Sequence, residues 1–461
     1  MTSIFSRASH ALESLVHKGS EQLEQWVSQE VHKIAITGLS RSGKSMLFTS
    51  LMGALQYRAD HLYDSLPLLK SLPVELIDKM ELLPIMGHTP FPLTTHLDAL
   101  DAQQWPRATD EVYGFQLVIW LKQTHFIKKQ LMPHKKVVFE FYDYPGEWLT
   151  DLPMLNKTFT QWSDSAWAQQ MSAPQKFYAN DWHAFADDFN FDSTPDNATV
   201  ARWVNEYRGY LQTAKAGGIS LLQPGSLLLP STQFDWGTYG FAPLPTNISS
   251  DPQHPWTRLF SAHYNLFNQA WLKPLKETTF KTTDKQIILI DLFEGLNHSK
   301  QHVLQLKEAI SNLAATFVYG SNHWLRQKVL RKTRVAKVAF VATKIDLIPL
   351  SQQANLMALL HEVTAGARAQ FKADEVDFEH FLVSAMQTTD PGKTPESLRY
   401  TNQYDDYIEA QFEPLPSGLK QMLEHENYPY LPVKVPKDYL ARMLNAQGLD
   451  RLFEYIIKDK S

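Results

Sequence analysis

Apolar positions along the chain alternate between two periods. Four short and almost uninterrupted runs, HKIAITG (32–38), KQIILIDL (285–292), KVAFVATKID (337–346) and FEHFLVSAM (378–386), read as buried strands. EVYGFQLVIWL (111–121) and KVVFEFYD (136–143) mix β-branched and aromatic residues with polar ones, and read as a strand pair. Between them the spacing turns helical. From Ser45 the run SMLFTSLMGALQYRADHLY is a helix, and Val303, Leu306, Ile310, Leu313 and Phe317 recur on one helical face that stops at Gly320. LDRLFEYIIK (449–458) is a closing amphipathic helix, and 391–436, rich in Pro, Tyr and charge, reads as loops. Strands alternating with helices predict an α/β fold around a mostly parallel, doubly wound sheet.

The pattern changes between about 148 and 285. Val200, Trp203, Val204, Tyr207 and Leu211 form one helical stripe, and Phe260, Tyr264, Phe267, Trp271 and Leu275 another. Aromatic stripes of this kind are core rather than chemistry. The reading is a mainly helical domain (148–285) inserted between two parts of the α/β domain, 33–147 and 286–461. An amphipathic helix with Ala11, Leu12, Leu15, Val16, Leu23 and Val27 on one face precedes them within 1–32.

Composition narrows the function classes. The 461 residues carry 44 Lys and Arg against 49 Asp and Glu, so a nucleic-acid partner, which would call for a basic footprint, is not expected. Cysteine is absent, which excludes disulfides, thiolate metal sites and cysteine nucleophiles. The 17 histidines show no metal-ligand spacing. No run of about 18 apolar residues stands out, and MTSIFSRASHALESL has no signal-peptide core, so a cytoplasmic protein is expected. The basic stretch 323–337, HWLRQKVLRKTRVAK, reads as a solvated helix face.

The strongest chemical signal is Gly38-Leu-Ser40-Arg41-Ser42-Gly43-Lys44-Ser45, followed by Met46. It fits G-x-x-x-x-G-K-[ST] without a mismatch, with a strand before it and a helix after it. Glycines let successive backbone N–H groups turn inward on a phosphate, and the helix N-terminus adds partial positive charge. Lys44 would reach the β- and γ-phosphates, and the Ser45 hydroxyl would hold Mg2+.

Three later motifs choose the base and stand in the order a GTPase needs. Asp143-Tyr-Pro-Gly146 ends a strand: Asp143 would hold the metal and the Gly146 N–H would meet the γ-phosphate. Thr343-Lys344-Ile-Asp346 resembles the N/T-K-x-D guanine motif. A carboxylate at Asp346 accepts from the N1–H and 2-amino group of guanine, whereas adenine presents an acceptor there, and that mismatch selects the base. Ser384-Ala385 follows the next strand, where an S-A pair would meet the guanine carbonyl. A metal-binding threonine is expected before strand 111–121. Thr89, Thr94, Thr95 and Thr109 qualify by order, and Thr109 stands closest to that strand. Asp291, ending IILID, could serve as a second metal aspartate, but Asp143 has the better context. Glu147 occupies the place of a water-orienting residue, and its carboxylate could act as base.

The loop GLSRSGKS resembles that of guanylate-binding proteins and atlastins, whose equivalent arginine turns onto the phosphates, often upon dimerisation. This implies Arg41 as an internal finger and a homodimer through the nucleotide face; Lys44 of the loop and Glu147 after Gly146 are the other two candidate catalytic residues. TGLSRSGKS, DYPGEWLTDLPML, LLQPGSLLLP and ATKID together resemble the YcjX-type stress proteins, nearly over the whole chain. The resemblance implies a P-loop NTPase with a Ras-like G domain that binds GTP and GDP with Mg2+. It also implies a stress-linked setting, with an inner-membrane protein partner and a peripheral place there. Thr343, where Asn is commoner, removes an amide that ties base loop to phosphate loop. Two other readings share the phosphate loop: an ATPase or small-molecule kinase, and a non-hydrolysing nucleotide-dependent scaffold.

Overall fold

The computed structural model describes residues 29–39, 41–60, 77–107, 111–122, 134–229, 234–277, 283–318, 337–370, 376–422 and 428–457. The predicted N-terminal helix before residue 29, the basic stretch 323–336, Ser40 and Thr109 lie outside them. Residues 29–31, read as the end of that helix, instead open the first strand.

The strands are β1 (Gln29–Gly38), β2 (Ile77–Pro84), β3 (Thr89–Pro90), β4 (Tyr113–Lys122), β5 (His134–Asp143), β6 (Lys285–Ile290), β7 (Lys337–Ala342) and β8 (Asp377–Leu382). They form one sheet in the order β2-β4-β5-β1-β6-β7-β8, with β3 beside β4. From β5 to β8 all pairs are parallel. β4 runs antiparallel to β5, as the predicted strand pair, and β2 adds an antiparallel edge that the sequence reading missed. β2 reads IDKMELLP, with two charged or polar positions together on the exposed side, so it lacks strict alternation.

Period-two burial divides the sheet cleanly. Ile34, Ile36, Phe139, Phe141, Ile287, Leu289, Ala339 and Val341 face one layer with Leu47, Phe48 and Leu51 of helix α1 (Lys44–Asp60). Ala35, Ile288, Ile290, Val338, Phe340 and Ala342 face the other. Both faces of a parallel sheet must be covered, which explains the near-continuous apolar runs. The closing helix, Leu449–Ile457, packs on the α1 side through Leu449, Leu452, Phe453 and Ile456. Lys285 Nζ and Lys337 Nζ donate to the Ile456 and Tyr455 carbonyls at 2.7 and 2.6 Å. These buried lysines satisfy the helix C-terminus and its negative dipole end.

Among the described residues, 146–277 form helices and no strand. The long helix Asn197–Ala216 is opened by a reciprocal capping box between Asp196 and Thr199. Both predicted aromatic stripes are buried, with Trp203, Phe260, Tyr264 and Phe267 fully enclosed. Their core is continuous with the second face of the sheet, so this segment has no separate interior.

The reading of 391–436 as loops is corrected. β9 (Thr389–Pro391), β10 (Ser397–Thr401) and β11 (Tyr407–Gln411) make a small antiparallel sheet. Its strands are three to five residues long, too short to leave a period in the sequence.

Candidate functional site

The C-terminal ends of β1, β5, β7 and β8 meet at one edge of the sheet, where crevices of α/β folds bind ligands. A cavity of about 400 Å3 lies there. Its walls include Arg41 to Leu47, Gly146, Glu147, Thr343, Lys344, Asp346, Ser384 and Ala385. Four segments separated by up to hundreds of residues therefore converge as the sequence motifs require. Gly38 and Asp143 are not part of that lining. Gly38 ends β1, and Asp143, fully buried, ends β5 opposite Ile36.

The phosphate loop explains its own glycines. Gly43 has φ +84°, a left-handed conformation, and a Cβ on Gly38 would lie 2.5 Å from Ser42 Oγ and 2.7 Å from the Leu289 carbonyl. The buried Lys44 ammonium donates to the Gly38 and Leu39 carbonyls at 2.9 and 3.2 Å. Burial lowers its pKa, an effect opposed by the charges of Asp143 and Glu147. Ser42 Oγ is buried without a hydrogen-bond partner among the described residues. Such an orphan costs about 1–3 kcal/mol and fits a wall built to receive an acceptor oxygen. Arg41, exposed and at φ +65°, lies close enough to Glu294 and His298 for its charge to act on both.

The base end is already rigid. Asp346 Oδ1 accepts from Ser384 Oγ at 2.7 Å, and Oδ2 accepts from the Thr388 N–H at 3.0 Å and its hydroxyl at 2.5 Å. These donors fix the carboxylate plane: the two bonds from Thr388 fill both lone-pair sites of Oδ2, while Oδ1 keeps a further one. Ser384 N–H is committed to the Gln447 carbonyl at 3.0 Å, which leaves the predicted carbonyl contact to Ala385. Lys344, at φ +60°, pairs with Asp291 Oδ2 at 2.6 Å. Burial lowers its pKa, but the Asp291 charge and hydrogen bond outweigh this and the net shift is upward. Asp291 Oδ1 also accepts from Phe293 N–H and Glu294 N–H. Asp291 is thus a helix cap that positions Lys344. Thr343 Oγ1 lies 3.9 Å from where a Cβ of Gly43 would be, so this residue still borders the phosphate loop.

Glu147 is buried and pairs with Lys215, Nζ to Oε1 2.6 Å. Burial pushes its carboxyl up, but Lys215 and then Lys44 pull it below the ordinary value. Glu294, partly buried nearby, is pushed up to about 8 by burial and by Asp291, against the pull of Arg41, Lys344 and Lys215. Thr94 and Thr95 border a different cavity, and Thr89 bonds Glu111 Oε2 at 3.3 Å. Trp105 and Pro106, three to four residues before Thr109, line the cavity at the phosphate loop.

Lys215, Trp105, Thr388 and Tyr430 belong to this site or its border, and sequence reasoning did not find them. Thr388 stood four residues beyond Ser384 and was within reach of a careful motif reading. The others carry no local signal, since only the fold brings them near.

Among the described residues no helix is long and apolar enough to cross a membrane, and no three His, Asp or Glu side chains gather as a metal cluster. A mixed α/β fold with a mainly parallel sheet and a glycine-bounded phosphate loop at its edge defines a P-loop-type domain. The chain belongs to the YcjX-like family, DUF463, whose model matches residues 32–460. It is 25% identical over 399 residues to the Ras-like GTPase YcjX of Escherichia coli (strain K12), covering 84% of this chain and 83% of that one. It is 24% identical over 403 residues to the Ras-like GTPase YcjX of Shewanella oneidensis, covering 83% and 82%.

Proposed function

We propose that this protein binds GTP and GDP with Mg2+ and hydrolyses GTP to GDP as a slow, nucleotide-dependent switch. One observation carries the reading: phosphate loop, Gly146 turn, TKID and Ser384-Ala385 line a single cavity. The names of the two relatives support it.

In this reading Gly38, Ser40, Ser42, Gly43 and Lys44 cradle the phosphates, and Met46 borders them. Asp346, Lys344, Thr343, Ser384 and Ala385 hold the guanine. Ser45, Thr109 and Asp143 supply hard oxygen donors, a set that suits Mg2+ completed by phosphate oxygens. When bound, the metal would neutralise charge on the β- and γ-oxygens. Water attacks the γ-phosphorus as the bond to the β-phosphate oxygen breaks. Glu147 orients that water, and Arg41 meets the charge spreading over the γ-oxygens. The Lys215 pair holds Glu147 as an anion but competes for it, consistent with slow turnover. The domain division follows: a Ras-like G domain in two parts, 33–147 and 286–461, around a helical insertion, 148–285, that changes contacts with nucleotide state. A homodimer through the nucleotide face would suit Arg41. The stress-linked setting and inner-membrane partner rest on the family resemblance.

Purified protein should bind GDP and GTP far above ATP by calorimetry and release phosphate from GTP in Mg2+. Turnover that rises with protein concentration supports the dimer. ATP binding as tight as GTP returns the ATPase or kinase reading, and tight GTP binding with no phosphate release returns the scaffold.

A further inference from the structure

Two aromatic side chains outside every motif stand at the cavity, Trp105 and Tyr430. Tyr430 is 73% exposed and Trp105 42%. A lone exposed aromatic needs no explanation, but these two are held in place. Tyr428, Leu431 and Val435 are buried on either side of Tyr430. The Tyr428 N–H donates to the Leu296 carbonyl at 2.7 Å, and Lys434 N–H to the Thr401 carbonyl at 2.9 Å. Tyr430 therefore projects from a strap, residues 428–435, whose backbone is pinned on both sides.

The strap is tied to the opposite segment. The Trp105 indole N–H donates to the Val433 carbonyl at 3.2 Å, and Gln103 Nε2 to the Val435 carbonyl at 3.1 Å. Tyr439 OH donates to Asp101 Oδ1 at 2.8 Å. Residues 101–105 and 433–439 are thus tied together, and Trp105 and Val433 among them line the cavity. Lys344, Asp346, Ser384 and Thr388 line the same cavity as the two aromatics, and Tyr430 lies close enough to Lys344 to influence its ammonium.

We propose that Trp105 and Tyr430 form an aromatic clamp on the faces of the nucleobase whose edge is read by Asp346, making the C-terminal strap part of the nucleotide site. The inference rests on the guanine reading above. The division of labour is physical. Asp346 discriminates the base edge by hydrogen bonds, whereas a π-face stacks on any base and supplies affinity without choice.

Calorimetric titration with GDP, and competition by inorganic tripolyphosphate as a base-free probe, test it. Tyr430→Ala and Trp105→Ala should each weaken GDP about tenfold, with tripolyphosphate unchanged. Tyr430→Phe and Trp105→Phe should restore GDP binding to within about threefold. The Phe variants also keep the test alive if Trp105→Ala fails to fold. GDP affinity within about twofold of wild type in Tyr430→Ala overturns the clamp, as does an equal loss for tripolyphosphate, which would mark a general closing role. Wild-type protein that ignores GDP overturns the guanine reading, and the clamp with it. Wild-type binding with indifferent alanine variants overturns the clamp alone.

Discussion

Lys215 Nζ lies 2.6 Å from Glu147 Oε1, and these residues come from two different helices, 68 residues apart along the chain. Glu147 follows Gly146 at the sheet edge. Lys215 sits at the end of the long helix Asn197–Ala216. The helical segment thus places a cation beside the candidate phosphate end, and the pair couples the two regions.

Removing the cation strands a buried carboxylate. Lys215→Ala should lower stability by about 2 kcal/mol at pH 7, read from denaturant midpoints. Because the folded Glu147 pKa lies below 4.5, its contribution is fully present above 4.5 and is lost as pH falls through the lower folded value. The gap between wild type and Glu147→Gln should therefore narrow on acidification. A gap that is constant with pH would show that the pair contributes nothing through ionisation.

Asp346→Asn replaces an acceptor pair by one acceptor and one donor. GTP affinity should fall by about 100-fold or more, and xanthosine triphosphate, which offers a carbonyl in place of the 2-amino group, should gain. The same change loses the bonds that Oδ2 accepts from Thr388, so a drop of about 1–3 kcal/mol in folding stability should accompany it. Competition between the two triphosphates reads the first effect and thermal denaturation the second.

Arg41→Ala should leave GDP affinity within about twofold and slow GTP turnover by about 10³-fold. Arg41 stands exposed within the loop, at the cavity wall and in the field of Glu294 and His298, and the finger reading calls for its side chain to turn onto the phosphates. Single-turnover phosphate release measures it, and an unchanged rate removes the finger.

Asp151 joins the segment after Gly146 to the LQPGS loop. Its carboxylate accepts from Gly225 N–H at 2.5 Å, Ser226 N–H at 3.0 Å and Ser226 Oγ at 2.6 Å. A Cβ on Gly225 would lie 2.5 Å from the Glu147 carbonyl, so only glycine permits the approach. Burial pushes Asp151 from 3.8 up to about 7, against the bonds from Ser226 and Gly225. Here the linkage has the opposite sign to that of Glu147: stability falls as pH rises from 3.8 to about 7 and levels beyond. Asp151→Asn should flatten that decline and cost about 1–3 kcal/mol at low pH, because its amide nitrogen cannot accept from Ser226. Denaturant titrations across pH 4 to 8 decide it.

Much of the sheet was legible because burial on both faces writes long apolar runs, as in KVAFVA of β7. The motif residues were legible because a phosphate loop fixes residue types at fixed spacing. β2 was missed because its alternation is broken, and β9 to β11 because each is shorter than one readable period. Asp291 was ambiguous in sequence, as any aspartate at a strand end can be a metal ligand or a cap. Its bonds to Phe293, Glu294 and Lys344 decide for the cap.

By itself the sequence determined the buried strands of the parallel sheet, the helices beside them and the local chemistry of the motif loops, since period and spacing are properties of neighbouring residues. Only the tertiary structure decided which distant groups share a dielectric environment. Lys215 beside Glu147, Thr388 on Asp346, and Trp105 tied to the strap beneath Tyr430 depend on contacts across 42 to 328 residues. No local pattern encodes such contacts, because they arise from how the aromatic core seats the helical segment and the C-terminal strap against the sheet.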